Sequence, residues 1–226
     1  MAIRNTFKHQ GLRTSWIVIH RFFTLVWRRL FGPKCFQFRG KIYRYFHHPF
    51  TLMVERTVEI PIVLEFFKKY SHKDVLEVGN VLYHYFPIQH DVVDKYEKSP
   101  NVINEDIVTY DPPKRYDFVG AISTLEHVGW DEQPREKDKF LKAMTNLKRL
   151  LKDSGLLVAT MPLGYNPFLD QLIQEQQTGF SEVYFLKRIS RNNQWEEATL
   201  DEAKNARFGS PYPCANAIAI GLYRKS

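Results

Sequence analysis

Residues 74–95 read DVLEVGNVLYHYFPIQHDVVDK, and this stretch decides the fold. It contains two short apolar runs, at residues 75–78 and 92–93, and a glycine or an acid follows each of them. Short, continuously apolar runs bounded by loops are typical of strands buried on both faces of a parallel sheet. Pro87 lies between the two runs, so a helix at this place must be unusually short. The stretch therefore predicts the start of a parallel, Rossmann-like sheet.

The same alternation of short apolar runs and helical faces continues through the chain. Further strands are predicted at residues 102–103, 118–122, 156–161, 183–189 and 215–223. Helices are predicted at residues 58–70, 134–152 and 167–177. The chain is thus expected to be an α/β protein with a mostly parallel sheet, an antiparallel C-terminal strand and helices on both faces.

Candidate ligand-binding residues follow the first three strands. Gly79 ends the first strand, where a glycine lets the backbone approach a ligand that a side chain would exclude. Asp94 ends the second strand, seventeen residues after Glu77, where a carboxylate can accept from both hydroxyls of a ribose. Asp106 and Ile107 follow the third strand, as an acceptor for an adenine amino group and an apolar surface for its ring. These strand ends are expected to open at one edge of the sheet.

The fourth strand runs into residues 123–128, STLEHV. The motifs LEVGN, DVVDK, NEDI and STLEHV, followed by a helix and a GLLVATMPLG strand, resemble the class I S-adenosylmethionine-dependent methyltransferases. Within that family the chain is most similar to the branch that acts on small molecules, quinone precursors, lipids and sugars. The resemblance covers about residues 74–163 and extends loosely to the C-terminal strands.

This resemblance implies that the cofactor is S-adenosyl-L-methionine and that the acceptor is a small molecule, a lipid or a glycan. The implied cofactor contacts are Glu77, Gly79, Asn80, Asp94, Lys95, Asp106, Ile107, Ser123 and Thr124. A hydroxyl acceptor needs a base, for which His127 is the first candidate and Glu126 the second. Both could equally be residues of a helix start, where acids are favoured by the helix dipole.

The chain departs from the family pattern at the loop after the first strand. The family has Gly-x-Gly-x-Gly there, whereas Gly79 is followed by Asn-Val-Leu-Tyr and only the first glycine is present. A methyltransferase-like scaffold that has lost its cofactor is therefore one alternative function.

The first 54 residues differ in composition from the rest. They hold ten Lys or Arg and no acid, whereas the remaining residues hold 22 basic and 25 acidic side chains. Residues 16–31 predict a basic amphipathic helix, and residues 35–50 predict a hairpin around Arg39-Gly40-Lys41. We interpret residues 1–54 as an extension and residues 55–226 as the methyltransferase domain. The extension is expected to bind an anionic membrane surface, and the alternatives are an RNA-binding arm, an organelle-targeting presequence or a cover for the core.

Several other functions are disfavoured by the sequence. Cys35 and Cys214 lie outside any CxxC spacing, so neither a zinc site nor a disulfide framework is expected, and a cytoplasmic setting is the default. The apolar stretch at residues 16–31 is too short and too charged to span a bilayer. The motif at residues 111–114, DPPK, is similar to one in nucleic-acid amino-methyltransferases, but it precedes the fourth strand and predicts a turn. A nucleic-acid-directed methyltransferase remains the less favoured alternative.

Overall fold

The computed structural model describes residue 26 and residues 31–226, which form a two-stranded hairpin and an eight-stranded mixed sheet. Most of the segment predicted as a basic amphipathic helix, and the membrane role assigned to it, lie outside these residues. No helix in the described part of the chain has the length and apolarity that crossing a bilayer requires.

The hairpin consists of β1 (Cys35–Phe38) and β2 (Lys41–Arg44), which pair antiparallel. Arg39 and Gly40 connect them with φ angles of 52° and 72°. Two successive residues with positive φ match the right-handed twist of the strands that they join. The predicted hairpin is therefore confirmed, and its inner aromatic residues Phe36 and Phe38 are buried against the sheet domain.

The large sheet has the order β5-β4-β3-β6-β7-β10-β8-β9. Its strands are β3 (Val75–Val78), β4 (Asp91–Val93), β5 (Val102–Ile103), β6 (Tyr116–Ile122), β7 (Leu151–Pro162), β8 (Glu182–Arg188), β9 (Trp195–Ala198) and β10 (Ala217–Arg224). The first five strands are parallel, and β10 is antiparallel to both β7 and β8. The chain order reverses between β3 and β6, and ligands bind at such a switch point in open α/β sheets. The predicted fold class is confirmed.

Helices cover both faces of the sheet, and β6 shows how the core divides. The helices are α1 (Arg56–Lys69), α2 (Lys139–Leu150), α3 (Pro167–Gln174) and the short α4 (Leu200–Ala203). Phe118 and Ile122 of β6 belong to the core under α1 and the hairpin, whereas Val119 and Ala121 belong to the core under α2 and α3. Alternate residues of a strand point to opposite faces, so β6 is buried on both sides.

The structure corrects several predicted boundaries. Helix α2 begins at residue 139 instead of 134, because the backbone N–H of Glu136 donates to Gly129 O at 2.9 Å, outside the helix. Strand β7 begins directly after it at Leu151, which pairs with Tyr116 of β6. Strand β9 was not predicted, because a sheet-edge strand with exposed Glu196 and Glu197 has little apolar periodicity. Between β3 and β4 a single 3₁₀ turn, Leu82–His84, replaces a helix, as Pro87 predicts.

Pro61 lies in the second turn of α1, because the helix begins at Arg56 and not at the predicted residue 58. A proline has no N–H for the carbonyl four residues earlier, which is that of Thr57. The backbone N–H of Phe46 donates to this carbonyl at 2.9 Å instead. The segment after the hairpin is thereby attached to the helix where the proline would otherwise leave an unsatisfied acceptor.

The packing of α1 on β6 depends on a glycine. A Cβ at Gly120 would lie 2.5 Å from Cε2 of Phe67, so Gly120→Ala is expected to lower the free energy of unfolding by about 1–3 kcal/mol. Urea unfolding of the variant measures this loss. In a Phe67→Leu background the same substitution is expected to cost less, because the ring is absent. Equal costs in the two backgrounds would show that the ring is not what limits this position.

Candidate active site

A cavity of about 300 Å³ lies at the carboxyl ends of β3, β4, β5 and β6. The sequence-predicted residues that line it are Gly79, Asn80, Asp94, Lys95, Asp106, Ile107, Ser123, Thr124 and His127. Two of the predicted residues, Glu77 and Glu126, are buried beside it and are not among its lining residues. The residues at four separate strand ends therefore meet at one place, at the switch point of the sheet.

Gly79 brings the ends of β3 and β6 into contact. Its φ is +84°, and a Cβ there would lie 2.1 Å from Oγ1 of Thr124. Thr124 in turn donates from its hydroxyl to Ile122 O at 3.0 Å. Any other residue at position 79 would be strained and would displace Thr124 from the cavity wall.

Glu77 shapes the loop and does not line the cavity. Its Oε1 accepts from the backbone N–H groups of Val81 at 3.0 Å and Leu82 at 2.7 Å. Its Oε2 lies 2.8 Å from Nε2 of His90. The resemblance places Glu77 near the methionine end of the cofactor. In the structure its side chain closes the turn after β3 instead.

Asp94 is fixed by backbone donors. Its Oδ1 accepts from Tyr96 N at 2.8 Å and Glu97 N at 2.7 Å, and its Oδ2 accepts from Asn80 N at 3.2 Å. An ionised carboxylate offers about four lone-pair sites, so one remains for a ligand hydroxyl. The bond to Asn80 also joins the β3 loop to the β4 loop.

At the other end of the cavity, Asp106 is already engaged by two lysines. Its Oδ2 lies 2.9 Å from Lys95 Nζ and 2.8 Å from Lys139 Nζ, and its Oδ1 accepts from Val108 N at 3.0 Å. Burial alone would raise the pKa of Asp106, but the hydrogen bonds from the lysines outweigh it and lower the pKa to about 2. Asp106 is thus a fixed anion, with Ile107 as the apolar residue beside it.

His127 lies in the 3₁₀ turn Leu125–His127 that follows β6. Its Nδ1 lies 2.6 Å from Asp131 Oδ2, and its Nε2 lies 3.6 Å from Glu126 Oε1. The hydroxyl of Tyr165 donates to the same Asp131 at 2.8 Å. With Nδ1–H donating to Asp131, the lone pair of the neutral imidazole is on Nε2.

Glu126 is 1% exposed, and its Oε2 has no hydrogen-bond partner among the described residues. Burial raises the pKa of this carboxyl well above its ordinary value. Its backbone carbonyl accepts from Nδ2 of Asn166 at 2.9 Å, which fixes the turn. Glu126 is therefore placed behind His127 as a buried acid and not as a wall of the cavity.

A second buried acid, Glu59, was not found from the sequence. The hydroxyl of Ser123 donates to its two oxygens at 2.7 and 2.8 Å. Burial first, and then the charge of Glu55, raises the pKa of Glu59 to about 7. The sequence does contain an indication of this residue. Glu59 lies within the apolar stretch VEIPIV of a predicted helix, and an acid in such a place is rarely buried unless it has a partner.

Ten of the residues that line the cavity were also not predicted, among them the charged or titratable residues Arg56, His84, Glu97, Glu105 and Glu132. Arg56 begins α1, twenty residues before the recognisable motifs, His84 ends the 3₁₀ turn after β3, and the acids lie in loops between the elements. By contrast, Asp111 lies before β6, away from the cavity, and pairs with Arg149 at 2.6 Å. At residues 111–114, where the sequence predicts a turn, the chain only bends, at Pro113 and Lys114. Within residues 31–226 no three His, Cys, Asp or Glu side chains are grouped so as to hold a metal ion.

The raised pKa of Glu59 makes stability depend on pH. The folded chain keeps a proton up to about pH 7, whereas the unfolded chain loses it near the ordinary value of 4.5. The free energy of unfolding is therefore expected to fall by on the order of 3 kcal/mol as the pH rises through this window. Glu59→Gln cannot ionise, so relative to the wild type it should gain stability between pH 5 and pH 8, measured by urea unfolding.

Glu65→Gln is the matched control for this measurement. Glu65 lies on the same helix, and its ion pair with Lys41 is at the surface, so its removal should change the pH dependence by less than about 1 kcal/mol. A Glu59→Gln chain whose stability follows the same pH curve as the wild type would contradict the assignment of a protonated Glu59.

No protein-family model matches the chain, and no curated protein matches it. Similar solved structures are methyltransferases. The N-methyltransferase NodS from Bradyrhizobium japonicum, in complex with S-adenosylhomocysteine, is 10% identical with a TM-score of 0.44, over 76% of this chain and 92% of NodS. An S-adenosylmethionine-dependent methyltransferase from Thermotoga maritima is 13% identical with a TM-score of 0.42, and the match covers 74% of this chain and 96% of the Thermotoga chain.

A sugar N-methyltransferase from Streptoalloteichus is 12% identical, with a TM-score of 0.39, over 76% of this chain and 89% of its own. At this level of identity, such likenesses say nothing about the acceptor. The strand order, the antiparallel β10 and the motif residues gathered at the switch point carry the assignment of the fold. The chain therefore has a Rossmann-like sheet that is mostly parallel with an antiparallel C-terminal strand, the fold class that its sequence motifs predict.

Proposed function

We propose that the chain transfers the methyl group of S-adenosyl-L-methionine to a small-molecule, lipid or sugar-type acceptor. One observation carries this proposal: the motif residues from four strand ends line a single cavity of about 300 Å³. This volume is at the lower end of the range for ligand pockets, and the position is the usual one for open α/β sheets.

The residues present fit the cofactor. Asn80, which lines the cavity, is 3% exposed, and its buried Oδ1 has no partner among the described residues, so an unsatisfied acceptor lies next to the cavity. Asp94 would accept from the ribose, Ile107 would pack on the adenine, and Thr124 would lie beside the sulfur. When bound, the cofactor supplies an electrophilic methyl group on a sulfonium.

The chain's own part in the reaction is alignment and proton removal. Ser123, Thr124 and His127 form the wall beside the expected methyl position, and holding donor and acceptor in line accounts for much of the rate of such a transfer. His127 would take the proton of a hydroxyl acceptor on Nε2. Asp131, held by Tyr165, would keep the imidazole in the required orientation.

Asp94→Asn is expected to weaken the binding of S-adenosylhomocysteine about 10- to 100-fold, because the ribose loses a charged acceptor. Isothermal titration calorimetry on the full chain measures this. Asp91→Asn is the matched control, since Asp91 lies at the opposite end of the same strand and pairs with Lys114 at 2.7 Å. An unchanged affinity in a folded Asp94→Asn chain would remove Asp94 from the site.

His127→Ala is expected to lower the rate of methyl transfer by about 100-fold or more if the acceptor is a hydroxyl. The rate is measured as tritium transferred from labelled S-adenosylmethionine to a fraction of a small-molecule extract that contains the acceptor. The affinity for S-adenosylhomocysteine should change much less. Pro113→Ala serves as the control, since it lies in the bend before β6. Full turnover by His127→Ala would mean that alignment alone suffices.

A further inference from the structure

A groove of about 470 Å³ lies between α1 and the loop that connects β3 to β4, residues 79–90. Leu64 and Phe67 of α1 line one side of it, and Leu82, Phe86 and Ile88 of the loop line the other. None of its lining residues is shared with the cavity at the carboxyl ends of the strands. The groove is therefore a second concave site, separate from the candidate active site.

The connection between β3 and β4 explains why this groove is open. Parallel strands are usually joined through a helix that packs on the sheet and covers it. Here the connection holds only the 3₁₀ turn Leu82–His84, and the loop packs on the same face of the sheet as α1. Seven of the twelve residues that line the groove are apolar. The place that a connecting helix would fill is thus an apolar groove.

The groove has positive charge at its exposed edge. Lys68 and Lys73 line it, both are exposed, and neither forms an ion pair with any residue that the structure describes. Lys41, by contrast, has its Nζ 2.7 Å from Oε1 of Glu65 on the same helix as Lys68. Among the described residues, no Asp or Glu lines the groove. The two lysines therefore have no counter-ion at this site.

Apolar walls and a cationic edge together indicate the class of ligand. An alkyl chain gains free energy when it leaves water for apolar walls, and a carboxylate at its end is attracted by two unpaired lysines. The groove is concave, so it fits a single ligand molecule and not the plane of a bilayer. The N-terminal part of the chain is a poor occupant, because residues 1–54 hold ten Lys or Arg and no acid and would be repelled.

We propose that this groove binds a free fatty acid, with its alkyl chain between α1 and the β3–β4 loop and its carboxylate beside Lys68 and Lys73. Burial of the methylene groups supplies most of the affinity, and the charged pairs with the lysines set the orientation. The site does not depend on the proposed methyl transfer, because the groove and the cavity have no lining residue in common.

Three amphiphiles, used below the concentrations at which they form micelles, test the chemistry of the groove on the full chain by calorimetry. Decanoate is expected to bind. Octanoate should bind more weakly, by about fourfold for each buried methylene that it lacks. Decyltrimethylammonium has the same alkyl chain as decanoate and the opposite charge, so it should bind at least about 10-fold more weakly than decanoate.

Variants test the position of the ligand. Replacing both Lys68→Gln and Lys73→Gln should weaken decanoate binding about 5- to 30-fold, because both charges at the edge are lost. Lys69→Gln is the matched control, since Lys69 is the next residue of α1 and does not line the groove, and it should change the affinity by less than about twofold. Ile88→Asp places an acid in the apolar wall and should abolish decanoate binding. Thermal unfolding shows whether each variant is folded.

Absence of decanoate binding to the wild-type chain would overturn the proposal, as would equal binding of decanoate and decyltrimethylammonium. A loss for Lys69→Gln as large as that for the double variant would show that general surface charge, and not the groove, attracts the ligand. Sedimentation with phosphatidylglycerol vesicles that needs Lys68 and Lys73, without binding of monomeric decanoate, would replace the fatty-acid site with a membrane contact. Titration with S-adenosylhomocysteine is a separate measurement, so failure of the proposed function leaves this test unaffected.

Discussion

The carboxylate of Glu77 determines the shape of the site. It is fully buried, and it accepts from two consecutive backbone N–H groups and contacts His90. A buried carboxylate is stable only when its oxygens are hydrogen-bonded, so the turn after β3 must fold around it. Only a 3₁₀ turn follows, in place of a helix. The backbone donors of this loop are therefore used within the protein.

Charge is divided between the two ends of the cavity. At one end, Lys95 and Lys139 hold Asp106 as a fixed anion, and Glu132 pairs with both lysines. At the other end lie the buried acids Glu59 and Glu126, whose pKa values burial raises. The second group lowers stability as the pH rises, because burial keeps each acid protonated in the folded chain while the unfolded chain releases its proton. Such strained titratable groups concentrate at functional sites, and here they lie directly behind Ser123 and His127.

The sequence predicts the fold and nine of the nineteen residues that line the cavity, because these features follow from strand ends. A parallel sheet brings its carboxyl ends to one edge, so Gly79, Asp94 and Thr124 could be placed together from their positions after apolar runs. What could not be predicted depends on contacts between distant segments. Helix α1, whose Phe67 packs over Gly120 of β6, brings Arg56 to the cavity wall and Glu59 to Ser123, and no local pattern indicates these contacts. The domain boundary near residue 54 stays a prediction, although Phe36, Phe38 and Tyr45 share the core with α1.

Two of the three glycines of the family's Gly-x-Gly-x-Gly loop are absent from this chain, so one question stands above the others, namely whether the cavity holds the cofactor. A crystal structure of the full chain grown with S-adenosylhomocysteine answers it most directly. The expected result places the ribose at Asp94, the adenine on Ile107 and the sulfur beside Thr124, within the cavity at the ends of β3 to β6. A structure grown at saturating ligand that shows the ligand outside this cavity, or the cavity filled by the chain's own side chains, would contradict the proposed function.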